Sequence, residues 1–221
     1  NLKGDFSFKS QNLIRNYKTN IFEKSNINDL IFASYPKIFG VGFYNDYKFI
    51  VKNANTDSQK SSKHKDDENV YLSTLFQYNS TLPLIKENNE YQNILRPKVS
   101  LKLAPPHTKD HKNKNTKINA SNLFSLNREI DNDTVEGGIS LAYGSDYSIY
   151  DKLNNRELLN FKIANNFRFK ENKDLPSNNQ LGQKTSNFFA ETKFNPYEFI
   201  NVRYNSSIKN NLSDIAYENL I

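Results

Sequence analysis

The stretch LNFKIANNFRFKE (Leu159–Glu171) alternates apolar and polar side chains almost without a break. The apolar parity carries Leu159, Phe161, Ile163, Phe167 and Phe169. Asn165 is the exception on that parity, and the other parity is polar or small. Successive side chains of a strand point to opposite faces, so the stretch predicts a strand with one apolar face and one wet, cationic face.

The same alternation recurs along the chain and predicts about ten strands. ILRPKVSLKLA (Ile94–Ala104) is the cleanest, and its Pro97 indicates a gap in the ladder or a strand end. The first three strands are expected at Leu2–Lys9, Leu13–Glu23 and Asp29–Phe39. Further strands are expected at Tyr47–Asn53, Val70–Thr81, Gly138–Ile149, Leu158–Lys170, Asn187–Phe194 and Phe199–Ile208. About ten residues is the length with which a tilted strand crosses a bilayer.

The links between these strands alternate in length. We expect long polar links near residues 54–69, 105–119 and 171–185, and short ones near 86–92, 151–156 and 195–198. The link Ala54–Asn69 has almost no apolar residue and reads as a solvated loop. Long links at one end and tight turns at the other are typical of outer-membrane barrels, although three of each could arise by chance.

Composition narrows the alternatives. No stretch approaches the roughly 18 consecutive apolar residues of a membrane helix, whereas a strand barrel is compatible with the mean hydropathy of −0.79. A net charge of +6 would suit a nucleic-acid partner, but codon bias towards Asn and Lys with solvated loops explains it better. Because aromatic side chains lie mostly on the parity opposite to the cations, we expect no nucleic-acid binding.

Residues that would support catalysis or metal binding are sparse. The chain has no cysteine, and His107 and His111 follow two prolines, so we interpret them as solvated loop histidines rather than ligands. Asp131 and Asp133 flank Asn132, without the glycine and distant glutamate of a calcium loop. We therefore predict that the chain is not an enzyme and holds no cofactor or metal.

The wet face supplies the candidate binding residues. The cations on the polar parity that could face the lumen of a barrel are Arg96, Lys98, Lys102, Lys162, Arg168 and Arg203. Such a lumen would attract anionic sugars or phosphates. A second interpretation is equally open, namely that any polar residue suffices to line water.

Two stretches resemble a known family. NLFSLNREIDNDTVEGGISLAYG resembles a segment of LptD, the lipopolysaccharide-assembly outer-membrane protein family, in which a Leu-Phe-x-x-Asn-Arg-like stretch precedes an acidic, glycine-containing entry to a strand. The matching residues are Leu123, Phe124, Asn127, Arg128, Asp133, Glu136, Gly137 and Gly138. LPLIKENNEYQNILRPKVSLKLAP also resembles the family, notably at Pro83, Leu95, Pro97 and Pro105. The Lys- and Asn-rich composition is similar to that of alphaproteobacterial members.

The resemblance implies part of a large antiparallel, up-and-down transmembrane β-barrel in the outer membrane of a Gram-negative bacterium. Family members insert lipopolysaccharide into the outer leaflet with a lipoprotein plug, LptE, in the lumen. A periplasmic jelly-roll domain receives lipopolysaccharide from the Lpt bridge. We expect residues 1–221 to be an internal fragment of the barrel domain, surrounded by outer-membrane lipid, with the jelly-roll domain and the terminal barrel strands outside it.

Two alternatives remain at this point. Another outer-membrane barrel, a porin or a receptor, shares every physical feature of the pattern. A soluble secreted β-sandwich would pack the apolar parity inward against a second sheet. The side on which Leu101, Leu141, Phe161 and Val202 lie separates the sandwich from a barrel.

Overall fold

The structure, a computed structural model, describes residues 3–17, 20–62, 64, 66–106, 110–112, 116–128 and 133–221. Its strands are β1 (Gly4–Tyr17), β2 (Ile21–Ser34), β3 (Lys37–Phe39), β4 (Phe43–Gln59), β5 (Asp67–Thr81), β6 (Leu84–Glu87), β7 (Tyr91–Ala104), β8 (Gly138–Asp151), β9 (Arg156–Arg168), β10 (Phe188–Tyr197), β11 (Ile200–Ile208) and β12 (Ile215–Leu220). One short 3-10 helix spans Asn122–Phe124. Within those ranges, no helix has the length and apolar content needed to cross a membrane.

All twelve strands belong to one antiparallel sheet. Ten of them follow one another in the order β1-β2-β4-β5-β7-β8-β9-β10-β11-β12, while β3 pairs with β4 and β6 pairs with β7. In the described part of the chain the outer strands β1 and β12 do not pair with each other, so the sheet is open. The all-β, up-and-down prediction of a partial barrel is confirmed.

The register places apolar and polar side chains on opposite faces across the sheet. Residues directly opposite each other on paired strands share a face. One such row crosses six strands and contains Phe6, Phe32, Phe49, Phe76, Leu103 and Ile139. A neighbouring row on the other face contains Lys48, Gln77, Lys102, Ser140 and Arg168. The alternation read from the sequence is therefore a property of the whole sheet.

Burial of the two faces is the reverse of that in a soluble sheet. Phe167 is 36% exposed, whereas its neighbour Arg168 is 0% exposed. We call the side that carries Phe167 the open face and the side that carries Arg168 the covered face. Phe161 and Val202 also lie exposed, and no second sheet packs against them in the described residues. The sandwich alternative is therefore excluded.

Two of the three links predicted to be long are long, and both lie at the same end of the sheet. At the upper end, where β4 meets β5, the links are residues 60–66, 105–137 and 169–187. The lower-end links that alternate with them are residues 82–90, which include β6, and the tight turns 152–155 and 198–199. The prediction is therefore confirmed for the links 105–137 and 169–187, but not for 54–69, because the link 60–66 is shorter than the lower link 82–90.

Two predicted boundaries are wrong. β1 and β2 form one long hairpin that turns between Tyr17 and Ile21, where three shorter strands were expected. The stretch Ala54–Asn69 is not a solvated loop, because β4 continues to Gln59 and β5 begins at Asp67. The polar residues of β2 and β4 remain in the strand because a neighbouring strand pairs with their backbone on each side, whereas β1 pairs with β2 alone.

Asparagine side chains reinforce these polar strand ends. Asn28 donates a hydrogen bond to Asn26 on β2 at 2.6 Å, and Asn55 donates to Asn53 on β4 at 2.7 Å. Asn55 also reaches across the strands to Asn26, at 3.4 Å. Hydropathy alone does not reveal this kind of strand stabilisation.

The expected gap at Pro97 is present. On one side of β7, β5 pairs with Lys98–Leu103 and β6 pairs with Gln92–Leu95, so this ladder breaks at Pro97. The Pro97 carbonyl accepts a hydrogen bond from the N–H of Leu82, so it points to the side of the break. The missing N–H of Pro97 therefore lies on the side where the ladder is broken, so no ladder hydrogen bond is lost. On the other side, β8 pairs with β7 without interruption.

Candidate functional site: the covered face

All six predicted cations lie on the covered face. Lys102 and Arg168 both oppose Ser140, and Arg96 and Lys162 both oppose Asp146. The remaining two, Lys98 and Arg203, lie opposite Gly144 and Lys193 on the same side of the sheet. The sequence parity therefore sorts the cations correctly, but the structure divides them into sealed, partly covered and exposed positions.

The link between β7 and β8 folds back over this face. We call its described residues 116–128 and 133–137 the cover segment. Leu123 at its centre is fully buried and packs in one cluster with Ala142 and Ala164 of the sheet. Val135 forms a second apolar contact with Ile50 and Leu75. Small and apolar side chains on an otherwise polar face thus mark where the cover segment is seated.

Backbone carbonyls of the cover segment accept hydrogen bonds from the sheet. The side-chain amide of Gln77 donates to the carbonyl O of Phe124 at 2.8 Å, and the Lys102 ammonium donates to the carbonyl O of Ser125. The ammonium of Lys98 lies 4.3 Å from the centre of the Phe124 ring. Sheet cations and amides thereby satisfy the polar backbone of a segment that would otherwise be buried without partners.

An ion cluster joins the cover segment to β9. Arg128 binds both carboxylate oxygens of Glu136, from Nε at 2.6 Å and from Nη2 at 2.5 Å. Arg168 donates from Nη2 to the same carboxylate and from Nη1 to the carbonyl O of Gly137 at 2.8 Å. The side chains of all three charged residues are at most 3% exposed. Such a two-armed arginine–carboxylate arrangement fixes geometry as well as charge.

Glu136 is ionised at neutral pH in this setting. Burial raises the pKa of the Glu136 carboxyl, but the positive charges of Arg128, Arg168 and Lys102 outweigh it and lower that pKa to about 2. The Glu136 carboxylate therefore lies in the field of three positive charges, which stabilise its ionised form. Arg128 also donates from Nη1 to Asn166 Oδ1 at 2.9 Å, which ties the cluster to a neutral oxygen on β9.

The link between β9 and β10 covers the same face beside the cover segment. Arg168 Nε donates to the carbonyl O of Leu181 at 3.1 Å. The side chains of Asn178 and Asn179 both donate to the carbonyl O of Thr116 at 3.1 Å, which ties this link to the cover segment. Both long upper links therefore lie against the sheet and each other.

The remaining cations are less enclosed. Lys98 pairs with Asp146 at 3.0 Å. Lys162 donates to the Ser121 hydroxyl at 2.8 Å and lies 4.0 Å from a carboxylate oxygen of Glu191. Arg203 is exposed opposite the exposed Lys193, and within the described residues no carboxylate pairs with either. An uncompensated pair of like charges opposite each other is a place where an anion would be stabilised.

Sequence reasoning from alternation missed Arg128 and Glu136, because they lie between strands. Only the family resemblance singled out these two residues, together with Gly138. Gly138 has φ +88°, and a Cβ there would lie 3.0 Å from Arg168 Nη1. A residue with a side chain would be strained in this conformation and would crowd the cluster, so glycine fits the entry to β8.

The histidines differ from expectation. His111 is buried, at 3% exposed, so its interpretation as a solvated loop residue is wrong. His64 Nδ1 lies 3.4 Å from Asp133 of the cover segment. His107, Asp131 and Asn132 lie outside the described residues. Across the described ranges, no group of three or more potential ligands gathers into a metal site.

Comparison with known proteins identifies the family. The model of the family LptD, "LPS transport system D", matches residues 33–218. No curated protein matches the chain. The matched region includes the cover segment, the ion cluster and all six cations, as well as most of the sheet. With a match over most of its length, this chain belongs to the LptD family.

Proposed function

We propose that this chain is part of an outer-membrane β-barrel that inserts lipopolysaccharide into the outer leaflet of a Gram-negative cell. The carrying observation is the exposed apolar open face on a sheet whose polar face is buried. A water-soluble protein would leave such a surface unfavourably hydrated, whereas lipid would cover it. Membership in the LptD family supports lipopolysaccharide as the transported molecule.

The dimensions of the open face suit a bilayer. On β7 its side chains run from Leu95 to Leu103, and on β9 from Leu159 to Phe167. Nine residues of a strand rise roughly 30 Å along its axis. With a tilt of about 45°, this corresponds to about 20 Å across the membrane, close to the apolar band of outer-membrane barrels.

In this proposal the covered face is the luminal side, and the six cations face the lumen. Lys102 and Arg168 are taken up by the cover segment, so they hold the protein's own backbone rather than a ligand. Arg203 is exposed beside Lys193, and Arg96 is half-buried with its Nη1 3.5 Å from the Ser148 hydroxyl. These two arginines would contact anionic sugars or phosphates of lipopolysaccharide. Contacts of this kind guide a lipid without any catalytic residue, cofactor or nucleic acid.

The partners follow from the same proposal. Residues 1–221 would be a fragment of the barrel domain, with a jelly-roll domain receiving lipopolysaccharide from the periplasmic Lpt bridge. An LptE-like lipoprotein would occupy the lumen beside the covered face. Outer-membrane lipid would surround the open face.

Depletion of the full-length protein in its own cells tests the transport function. Surface lipopolysaccharide is quantified on intact cells with a membrane-impermeant label, and total lipopolysaccharide is measured after the membranes have been separated. We expect surface lipopolysaccharide to fall while the molecule accumulates in the inner membrane. Reduced uptake of small solutes with unchanged surface lipopolysaccharide would identify a porin and overturn the proposal.

A further inference from the structure

The open face has a depression beside the break in the β5–β7 ladder. Ser145 lies between Pro97 and Ile163 in one cross-strand row. The next open-face residues on β8 are Tyr143 above Ser145 and Tyr147 below it. Because the small serine side chain lies between two tyrosines, the surface sinks here and leaves a cavity of about 340 Å³.

The break in the ladder supplies one wall of this depression. β5 ends at Thr81, and β6 begins only at Leu84, so residues 82 and 83 are free of strand pairing beside Pro97. Leu82 and Phe43 line this side of the cavity, and the lining as a whole is predominantly apolar. A cavity of this lining on a face that meets lipid suits a hydrocarbon chain and offers little to a polar ligand.

A second depression of about 480 Å³ continues the first towards the lower end of the sheet. Leu95 and Tyr147 line it, and Lys86 lies at its lower end directly opposite Asn93. The Tyr147 hydroxyl donates to Asn93 Oδ1 at 3.0 Å. Leu95 is the last apolar residue of β7 on this face, so the amide, the phenol and the ammonium lie where a membrane interface begins.

The charge at this end is available to an anion. Lys86 is exposed, and no carboxylate pairs with it in the described part of the chain. The nearby Lys152 is already engaged, because its ammonium lies 3.5 Å from Glu87 and donates to the carbonyl O of Asn88 at 3.0 Å. An apolar trough that leads to a free ammonium matches a lipid with an anionic phosphate at its head.

The orientation of the sheet selects the kind of lipid. The two longest links lie at the upper end, and outer-membrane barrels carry their long loops outside and their short turns in the periplasm. The lower end, with Lys86, therefore lies at the periplasmic leaflet, which consists of phospholipids. Lipopolysaccharide occupies the opposite leaflet, so its phosphates would not reach this lysine.

We propose that the two depressions form one groove that binds a phospholipid of the periplasmic leaflet. We call it the lipid groove; its defining residues are Leu82, Leu95, Pro97, Ser145, Tyr147 and Lys86. An acyl chain lies over Pro97 and Ser145, and the phosphate lies at Lys86. The bound chain fills the surface where β5 and β7 are not paired. This inference rests on the proposed function, because it requires lipid around the open face.

A photoreactive phospholipid tests the groove. The full-length protein is placed in phosphatidylethanolamine vesicles that contain a minor fraction of phosphatidylglycerol with a diazirine on one acyl chain. After illumination, the adducts are located by peptide mass mapping. We expect them to concentrate at residues 82, 97–99 and 143–145, above the yield at residues 30–32 and 49–51 of the same face. An even yield over the open face would overturn the groove and leave the membrane placement standing, whereas adducts confined to the covered face would overturn both.

Filling the groove should exclude the chain. Ser145→Leu keeps the face apolar and replaces the small side chain at the floor. We expect labelling at residues 97–99 to fall about tenfold, the effect of excluding two methylene groups. The matched control is Thr74→Leu, which makes a similar exchange on the open face of β5 opposite Val51, outside the groove. Equal labelling of the native and Ser145→Leu proteins would overturn the proposal, as would an equal fall with Thr74→Leu.

Removing the charge tests the head group separately. With Lys86→Gln we expect labelling of the groove to fall about threefold, as for the loss of an exposed ion pair. Lys86→Arg should label normally, and so should Lys37→Gln, which removes an exposed charge on β3 outside the groove. Unchanged labelling with Lys86→Gln would overturn the phosphate contact and with it the choice of a phospholipid. Normal surface lipopolysaccharide after depletion, combined with a labelled groove, would overturn the transport function and leave the lipid groove standing.

Discussion

On strand β9, Phe161, Ile163 and Phe167 stay exposed on the open face, while Asn166 and Arg168 are buried on the covered face. A soluble one-sided sheet shows the opposite arrangement, with its apolar parity packed inward. The difference between the faces teaches that two kinds of interaction hold this sheet. Hydrogen bonds and ion pairs hold the covered face, whereas under the proposed function lipid would cover the open face.

The two faces should also respond differently to substitution. On the covered face a single deletion leaves a buried polar partner unsatisfied, which costs more than the bond itself contributed. If lipid surrounds the open face, as we propose, an apolar residue there can be exchanged for another of similar size, because lipid adapts to its shape. A charge there is unfavourable in proportion to its depth in the membrane. Four measurements follow, ordered by the size of the expected effect.

The largest effect is expected for Arg168→Met on the covered face. The substitution leaves Glu136 with one fewer cation and the carbonyls of Gly137 and Leu181 without their donor. Breaking a buried pair in this way should lower the free energy of unfolding by about 3–5 kcal/mol. The measurement is the denaturant midpoint of the full-length protein in lipid vesicles. Arg203→Met, on the same face but exposed, is the control, and an equal loss there would mean that burial does not distinguish the two arginines.

The next largest effect is expected for an arginine on the open face. Val99→Arg should impair membrane assembly, since Val99 lies midway along the open face of β7 and an arginine near mid-bilayer costs about 2–4 kcal/mol. Phe167→Arg, at the edge of the apolar band, should impair assembly less. The measurement is the amount of heat-resistant folded protein in the outer-membrane fraction. Val99→Leu keeps the position apolar and should assemble normally. If Val99→Arg assembled as well as Val99→Leu, the open face would not be the lipid face.

Acid should weaken the covered face and spare the open face. The pKa of Glu136 falls from its ordinary 4.5 to about 2 in the folded protein, so its contribution is complete above pH 4.5 and is lost as the pH falls towards 2. Between pH 7 and pH 3 this loss amounts to about 2 kcal/mol. The denaturant midpoint should therefore drop in this window for the native protein and much less for Glu136→Gln. The same drop in both would assign the acid effect to other groups.

Alternation predicted the two faces well because successive side chains of a strand point to opposite faces of the sheet. Asn165, the one exception on the apolar parity of β9, has a structural explanation. Its side-chain amide donates to the carbonyls of Ser186 and Asn187, at 3.0 and 3.1 Å. These carbonyls lie where β10 has not yet begun to pair regularly with β9. The exception therefore marks a break in the ladder.

The covered site was less accessible to prediction. Arg128 and Glu136 lie outside the strands, and nothing in the spacing of two charges in a polar link shows that the link will return to the sheet. The same limit applies to Ala54–Gln59, where strand pairing rather than hydropathy keeps polar residues extended. Both stretches were predicted to be loops because they are polar. Their structure depends instead on contacts with residues that are distant in sequence, which composition does not show.

The smallest effect is expected for Lys162→Gln. This substitution tests whether the partly exposed cations of the covered face are coupled to the buried ion cluster. Lys162 lies on the same face as Arg168, but its side chain is 21% exposed and its carboxylate partner is 4.0 Å away. Glutamine can still donate to the Ser121 hydroxyl, so the denaturant midpoint should shift by less than about 1 kcal/mol. A loss as large as that of Arg168→Met would mean that the ion cluster extends to Lys162, Ser121 and Glu191. In that case the whole covered face would be one cooperative network. A small loss would mean that the strongly coupled charges are limited to Arg128, Glu136 and Arg168, where the cover segment contacts the sheet.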